Sequence, residues 1–155
     1  MHRVYAVIAW VIAGGVAVQA AAIAFGVGGM VHFVQDGGVV DKALIESGQL
    51  TYLGEIGFWI HAIVGAVVIP LAAVALFLVA FGVRVRGARL LAGIVLGLIA
   101  LQVMAGFGLR DLPYLGLLHG VNALAVLLAS VFAALRVSRS ARKTVAEATS
   151  DAVPA

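Results

Sequence analysis

The chain has 155 residues, 64% of them hydrophobic and 11% charged, with a formal net charge of +3 and no cysteine. Ordinary globular chains are about half apolar and roughly a quarter charged, so this composition excludes a soluble domain and points to one domain solvated by lipid. Without thiols there are no disulfides, thiolate metal sites or cysteine nucleophiles. The few basic residues, scattered between apolar runs, read as topology-setting charges and not as a nucleic-acid surface.

Four apolar runs follow in order, at about 4–29, 52–81, 90–109 and 113–135. Each reaches the roughly 20 residues that a helix needs to cross ~30 Å of hydrocarbon. Lipid offers no partner to a free backbone group, and the period-2 alternation of a membrane barrel is missing, so the spans are predicted to be helices. The expected fold is all-α: an integral membrane four-helix bundle over 1–136. Val18-Gln19-Ala20 has the look of a cleavage site, but the charged start is Arg3 alone and the apolar run continues past it. An uncleaved first helix is expected.

The connections differ in charge. Segment 31–55 is acidic, with Asp36, Asp41, Glu46 and Glu55 against Lys42. The second connection carries Arg84, Arg86 and Arg89, and the segment after the fourth run carries Arg136, Arg139, Arg142 and Lys143. The positive-inside rule then predicts a multi-pass cell-membrane protein with both termini cytoplasmic and 31–55 outside. A short helix is predicted from an Asp41 N-cap to a Gly48 stop. Residues 137–155, polar and rich in small side chains, are predicted to be a disordered cytoplasmic tail. Pro113 suits a first helical turn, Pro70 a packing kink, and Tyr52, Trp59 and Tyr114 an interfacial aromatic belt.

Polar groups inside a span are costly and usually face the bundle interior. The candidates are Gln19, His61, Gln102 and His119. With entry near Ile56 and Pro113, His61 lies ~8 Å and His119 ~9 Å below the outer surface, with Gln102 ~10 Å down in the same layer. Gly57, Gly65, Val68 and Ala72 share the His61 face; Ala123, Val126 and Ser130 share the His119 face, flanked by Gly116 and Asn122, although Leu115 also lies on it. Small faces of this kind admit either a close helix or a flat macrocycle. Two histidines at one depth suit the axial ligation of a haem b, with Gln102 placed to bond a propionate or orient a ligand ring. The bland alternative is helix packing through small-residue lanes, of which Gly93 and Gly97 are a further example. His2 is expected to be solvated or interfacial, His32, at the outer end of the first helix, to be an exposed loop histidine or else a third ligand or a gate, and Glu55 a solvated carboxylate at a helix N-terminus or a proton acceptor. A phosphate-binding loop, paired intramembrane carboxylates and a serine–histidine arrangement are not seen.

"FWIHAIVG" around His61 and "LQVMAGFGLRDLPYLGLLHG" around Gln102, Pro113 and His119 resemble one four-helix half of the haem A synthase family and related small four-helix membrane proteins. The resemblance covers about Gln49 to Leu135. It implies that His61 and His119 are haem ligands, with Glu55 in the place of that family's first-loop acidic residue. Ala62 stands where the family often has arginine, and only one half is present, so a homodimer would be needed for a two-site reaction. The resemblance therefore implies haem binding more than haem A synthesis. The expected role is electron transfer with a quinone or a redox partner subunit, or haem handling. The rival is a cofactor-free structural or assembly subunit.

Overall fold

The computed structural model describes residues 1–150, with side chains through residue 140. The described residues form helices α1 (His2–Gln35), α2 (Lys42–Ser47), α3 (Glu55–Ala80), α4 (Ala88–Gly108) and α5 (Leu115–Ser150). Four of them, α1, α3, α4 and α5, are long and apolar enough to cross a membrane. Large apolar side chains such as Leu71, Leu90, Leu117 and Val121 are exposed along them, as lipid-facing residues should be.

Two ends differ from expectation. Helix α1 does not stop near Gly29 but runs to Gln35. It ends where the Gly38 N–H donates to the Phe33 carbonyl (2.9 Å) and the Gly37 N–H to that of Val34 (3.1 Å). This is the Schellman pattern, with Gly37 at φ +91° as its left-handed residue. Helix α5 likewise continues past Leu135 to Ser150, through much of the tail predicted to be disordered. Between Val121 and Ser150 there is neither glycine nor proline to break it, and its alanines, arginines and lysine favour helix. Residues 151–155 of that tail lie outside the described residues. The short α2 matches its expected caps: the Asp41 carboxylate accepts from the Leu44 N–H at 2.8 Å, and Gly48 follows at φ 64°.

The chain forms two compact units, Met1–Val16 with Ile69 onward, and Ala17–Val68. In the first, parts of all four long helices pack as a bundle. Its seams are lined by alanine: Ala9, Ala73, Ala80, Ala88, Ala92, Ala133 and Ala134 are wholly buried. Small side chains let membrane helices approach, since lipid provides no hydrophobic drive to pair them. The seam on α4 runs through Ala88, Ala92 and Val95 and not through Gly93 and Gly97. A Cβ on Gly93 would make only an ordinary contact with Phe77, and one on Gly97 would meet open space. The Tyr5 hydroxyl donates to the Ala88 carbonyl at 3.0 Å, tying α1 to the first turn of α4. At the α3–α4 loop, Arg89 donates to the Phe81 carbonyl and Arg136 to that of Arg86. The basic residues there thus hold backbone as well as carrying charge.

In the second unit the later part of α1 packs on the first part of α3 through glycine. A Cβ on Gly57 would drive into the Ala22 carbonyl and the Gly26 backbone, and Gly29 and Gly54 meet backbone to backbone. Phe33 and Tyr52 stack with ring centroids 5.1 Å apart. They border a cavity of about 420 Å³ with Phe25, Gly28 and His32. Within α3, residues Val64–Val68 form a π-helical turn. It sits just ahead of Pro70, which has no N–H to continue the regular ladder.

Candidate functional site

Both intramembrane histidines are held by a glutamine, each pair within a single unit. In the second unit, Nδ1 of His61 on α3 lies 3.2 Å from the backbone carbonyl of Gln19 on α1. The Gln19 side chain, with its amide nitrogen turned to α3, reaches the His61 carbonyl at 2.9 Å and His61 Nδ1 at 3.0 Å. Its amide oxygen accepts from the Gly65 N–H at 3.3 Å. In a regular helix the Gly65 N–H would bond the His61 carbonyl. The glutamine amide stands between these two groups where the π turn begins, a side-chain insertion of the kind that distorts helices. Gly65 makes this possible, because a Cβ there would come within 2.8 Å of the end of the Gln19 side chain.

In the first unit, Nδ1 of His119 on α5 lies 3.1 Å from the backbone carbonyl of Gln102 on α4. The Gln102 amide nitrogen donates to the His119 carbonyl at 3.0 Å. The amide of Asn122, one turn along α5, donates to Gln102 Oε1 at 2.7 Å and to the Leu98 carbonyl at 2.8 Å. Asn122 is buried. Gly106 leaves room for the imidazole, since a Cβ there would come within 3.1 Å of it.

The glycines singled out in the sequence divide. Gly57 and Gly65 are occupied by α1 contacts, the close-helix use, while Gly116 has nothing within 4 Å of a Cβ position. The remaining ionisable groups lie elsewhere. His32 is in the last turn of α1, not in a loop, with Nε2 3.6 Å from Asp36. Glu55 accepts from the Thr51 N–H, closing the turn ahead of α3. Tyr52 beside it is held above its ordinary pKa by burial and by the Glu55 charge. His2, expected to be solvated or interfacial, is half-buried in the first turn of α1 with its Nε2 covered. Among the described residues, no group of three His, Cys, Asp or Glu side chains could hold a metal ion.

Sequence reasoning ranked Gln19 and Asn122 too low. Their signal was their cost: each is an amide inside an apolar span, at a position where lipid exposure is unfavourable. Comparison with known protein families, curated proteins and solved structures gives no match. The functional argument therefore rests on these two clasps.

Proposed function

We propose that the chain is a small b-type cytochrome-like membrane protein that binds haem b through His61 and His119. The observation that carries this reading is the carbonyl facing Nδ1 of each imidazole. In the tautomer that donates from Nδ1 to this carbonyl the lone pair is on Nε2; at His61 the Gln19 amide nitrogen faces the same Nδ1 at 3.0 Å, so the carbonyl's pull is clearest at His119. Metal-ligating histidines are commonly oriented by such a bond. The donor set thus fits axial ligation of haem iron, and the sequence resemblance to a haem A synthase half supports the same ligands. Gly57 and Gly65 add no room for a macrocycle. Haem would supply a one-electron couple. The backbone carbonyls of Gln19 and Gln102 would orient the two imidazoles. The charge pattern favours cytoplasmic termini and an outer 31–55 segment in the cell membrane. In that orientation the protein would exchange electrons with a quinone or partner subunit, or hold haem for modification, as a single chain or a homodimer.

A second reading is a cofactor-free structural or assembly subunit. It is favoured by the Gly57 contact on α1, which turns a candidate haem face into a helix seam. A reduced-minus-oxidised spectrum of protein purified with a haem supply separates the two. The cytochrome reading expects a six-coordinate b-type spectrum, lost in His61→Ala and in His119→Ala. A colourless protein that stays colourless on adding haem leaves the structural subunit.

A further inference from the structure

We infer that the arginines around the α3–α4 loop form a binding site for the headgroup of an anionic phospholipid, with Arg136 and Arg89 as its two fixed anchors. All of its residues lie in the first unit, and the site stands independently of the haem reading.

Residues 81–87 join α3 to α4, and a guanidinium is fastened to each end of this connection. Arg136, on α5, donates from Nε to the Arg86 carbonyl at 3.1 Å. One of its outer nitrogens lies over Gly87, 3.4 Å from where a Cβ would stand. Gly87 sits at φ +85°, so the turn and the guanidinium both call for a residue without a side chain. Arg89, in the first turn of α4, donates to the Phe81 carbonyl at 3.3 Å, and its Cζ sits 5.2 Å from the centre of the Phe81 ring. Each of these bonds uses one N–H of its guanidinium. Among the described residues, the other N–H groups of both side chains make no hydrogen bond. Arg84 and Arg86 in the loop, and Arg139 one turn after Arg136, are exposed.

The positive-inside rule asks for charge here but not for this arrangement. Among the described residues of this unit the one carboxylate is Asp111, beyond the far end of α4 and roughly 30 Å away at the helical rise. Neither ion pair among the described residues includes an arginine. The first turn of α4 carries no acidic residue, although cations are disfavoured at that end of a helix. An anion from outside the chain balances such a cluster, and guanidiniums already held in place bind phosphate oxygens through paired N–H groups. The surroundings select a lipid over a free phosphate. Phe81, Leu90 and Phe132 are 53%, 68% and 54% exposed. Phe81 underlies Arg89, Leu90 follows it, and Phe132 lies one turn before Arg136 on the same helix face. A phosphate at the guanidiniums thus sets its acyl chains against apolar side chains. The headgroup must be net negative, because the remaining arginines repel the ammonium of a zwitterionic one.

The test sets phosphatidylglycerol against phosphatidylcholine of the same acyl chains. The full chain is reconstituted in nanodiscs holding equal amounts of the two lipids and released into a neutral detergent, and the retained lipids are counted by native mass spectrometry. The wild type is expected to keep phosphatidylglycerol over phosphatidylcholine by roughly tenfold or more, and Arg136→Gln and Arg89→Gln each to lower that preference by roughly fivefold. Arg110→Gln makes the same change in net charge beyond the far end of α4 and should leave the preference within about twofold of the wild type. Inorganic phosphate added during release should leave the lipid in place; displacement would reassign the site to a small anion and overturn the lipid assignment. Equal retention of the two lipids by the wild type overturns the inference, and that comparison needs no variant to fold. So does an effect of Arg110→Gln as large as that of Arg136→Gln, which would reduce the preference to net charge.

Discussion

Replacing Asn122 with alanine removes two interhelical hydrogen bonds, to the Leu98 carbonyl and to Gln102 Oε1. Replacing Gln102 also removes two, the bond from Asn122 and the one to the His119 carbonyl. One bond is common to both losses. Interhelical hydrogen bonds in membrane bundles average ~0.6 kcal/mol, with ~1.7 kcal/mol at the upper end. Each single variant should therefore cost about 1.2 kcal/mol. The double variant loses three bonds and should cost about 1.8 kcal/mol, less than the sum of the singles by one shared bond. Reversible unfolding of the four proteins in mixed micelles, followed by far-UV circular dichroism, gives the cycle. Costs that simply add would refute the Asn122–Gln102 bond. A cost near zero for Asn122→Ala would refute the anchoring of this layer altogether.

Other substitutions probe separate parts of the account. Gly57→Val sets side-chain atoms against the Ala22 carbonyl, and backbone cannot rotate away as a side chain can. It should destabilise by about 1–3 kcal/mol in the same assay, and an unchanged stability would contradict the close crossing of α1 and α3. The Ser130 hydroxyl is buried without a hydrogen-bond partner, so Ser130→Ala should be neutral or stabilising by up to about 1 kcal/mol. A clear loss of stability would show that the hydroxyl has a partner. The absence of native cysteine makes topology directly testable. In intact cells a membrane-impermeant maleimide should label Ser47→Cys and spare Ser138→Cys, and the reverse pattern would contradict the proposed orientation.

The four spans were legible because lipid demands long apolar helices, and composition alone reports that demand. The cap residues Asp41 and Gly48 marked α2 correctly because capping is a local bond between neighbours. The end of α1 was misplaced because the span was bounded at about Gly29 by its apolar run. The helix continues past Gly29, and its actual stop, Gly37-Gly38, works through backbone bonds that composition does not distinguish. The end of α5 was misplaced because polarity was read as disorder, although the residues there are good helix formers. At the candidate site, the histidines and Gln102 stood out by their cost in lipid. The use of Gly57 and Gly65 did not, because a glycine face serves a neighbouring helix and a flat ligand equally well. Pro70 announced an irregularity in α3, but the insertion of Gln19 beside it depends on which helix packs there, a fact of tertiary structure.

The most direct test of haem binding is the reduced-minus-oxidised absorbance spectrum of the purified wild-type protein beside His61→Ala and His119→Ala. The account predicts a b-type haem signal in the wild type that is lost in both variants. A wild-type protein that binds no haem, or a signal that survives both substitutions, would contradict it.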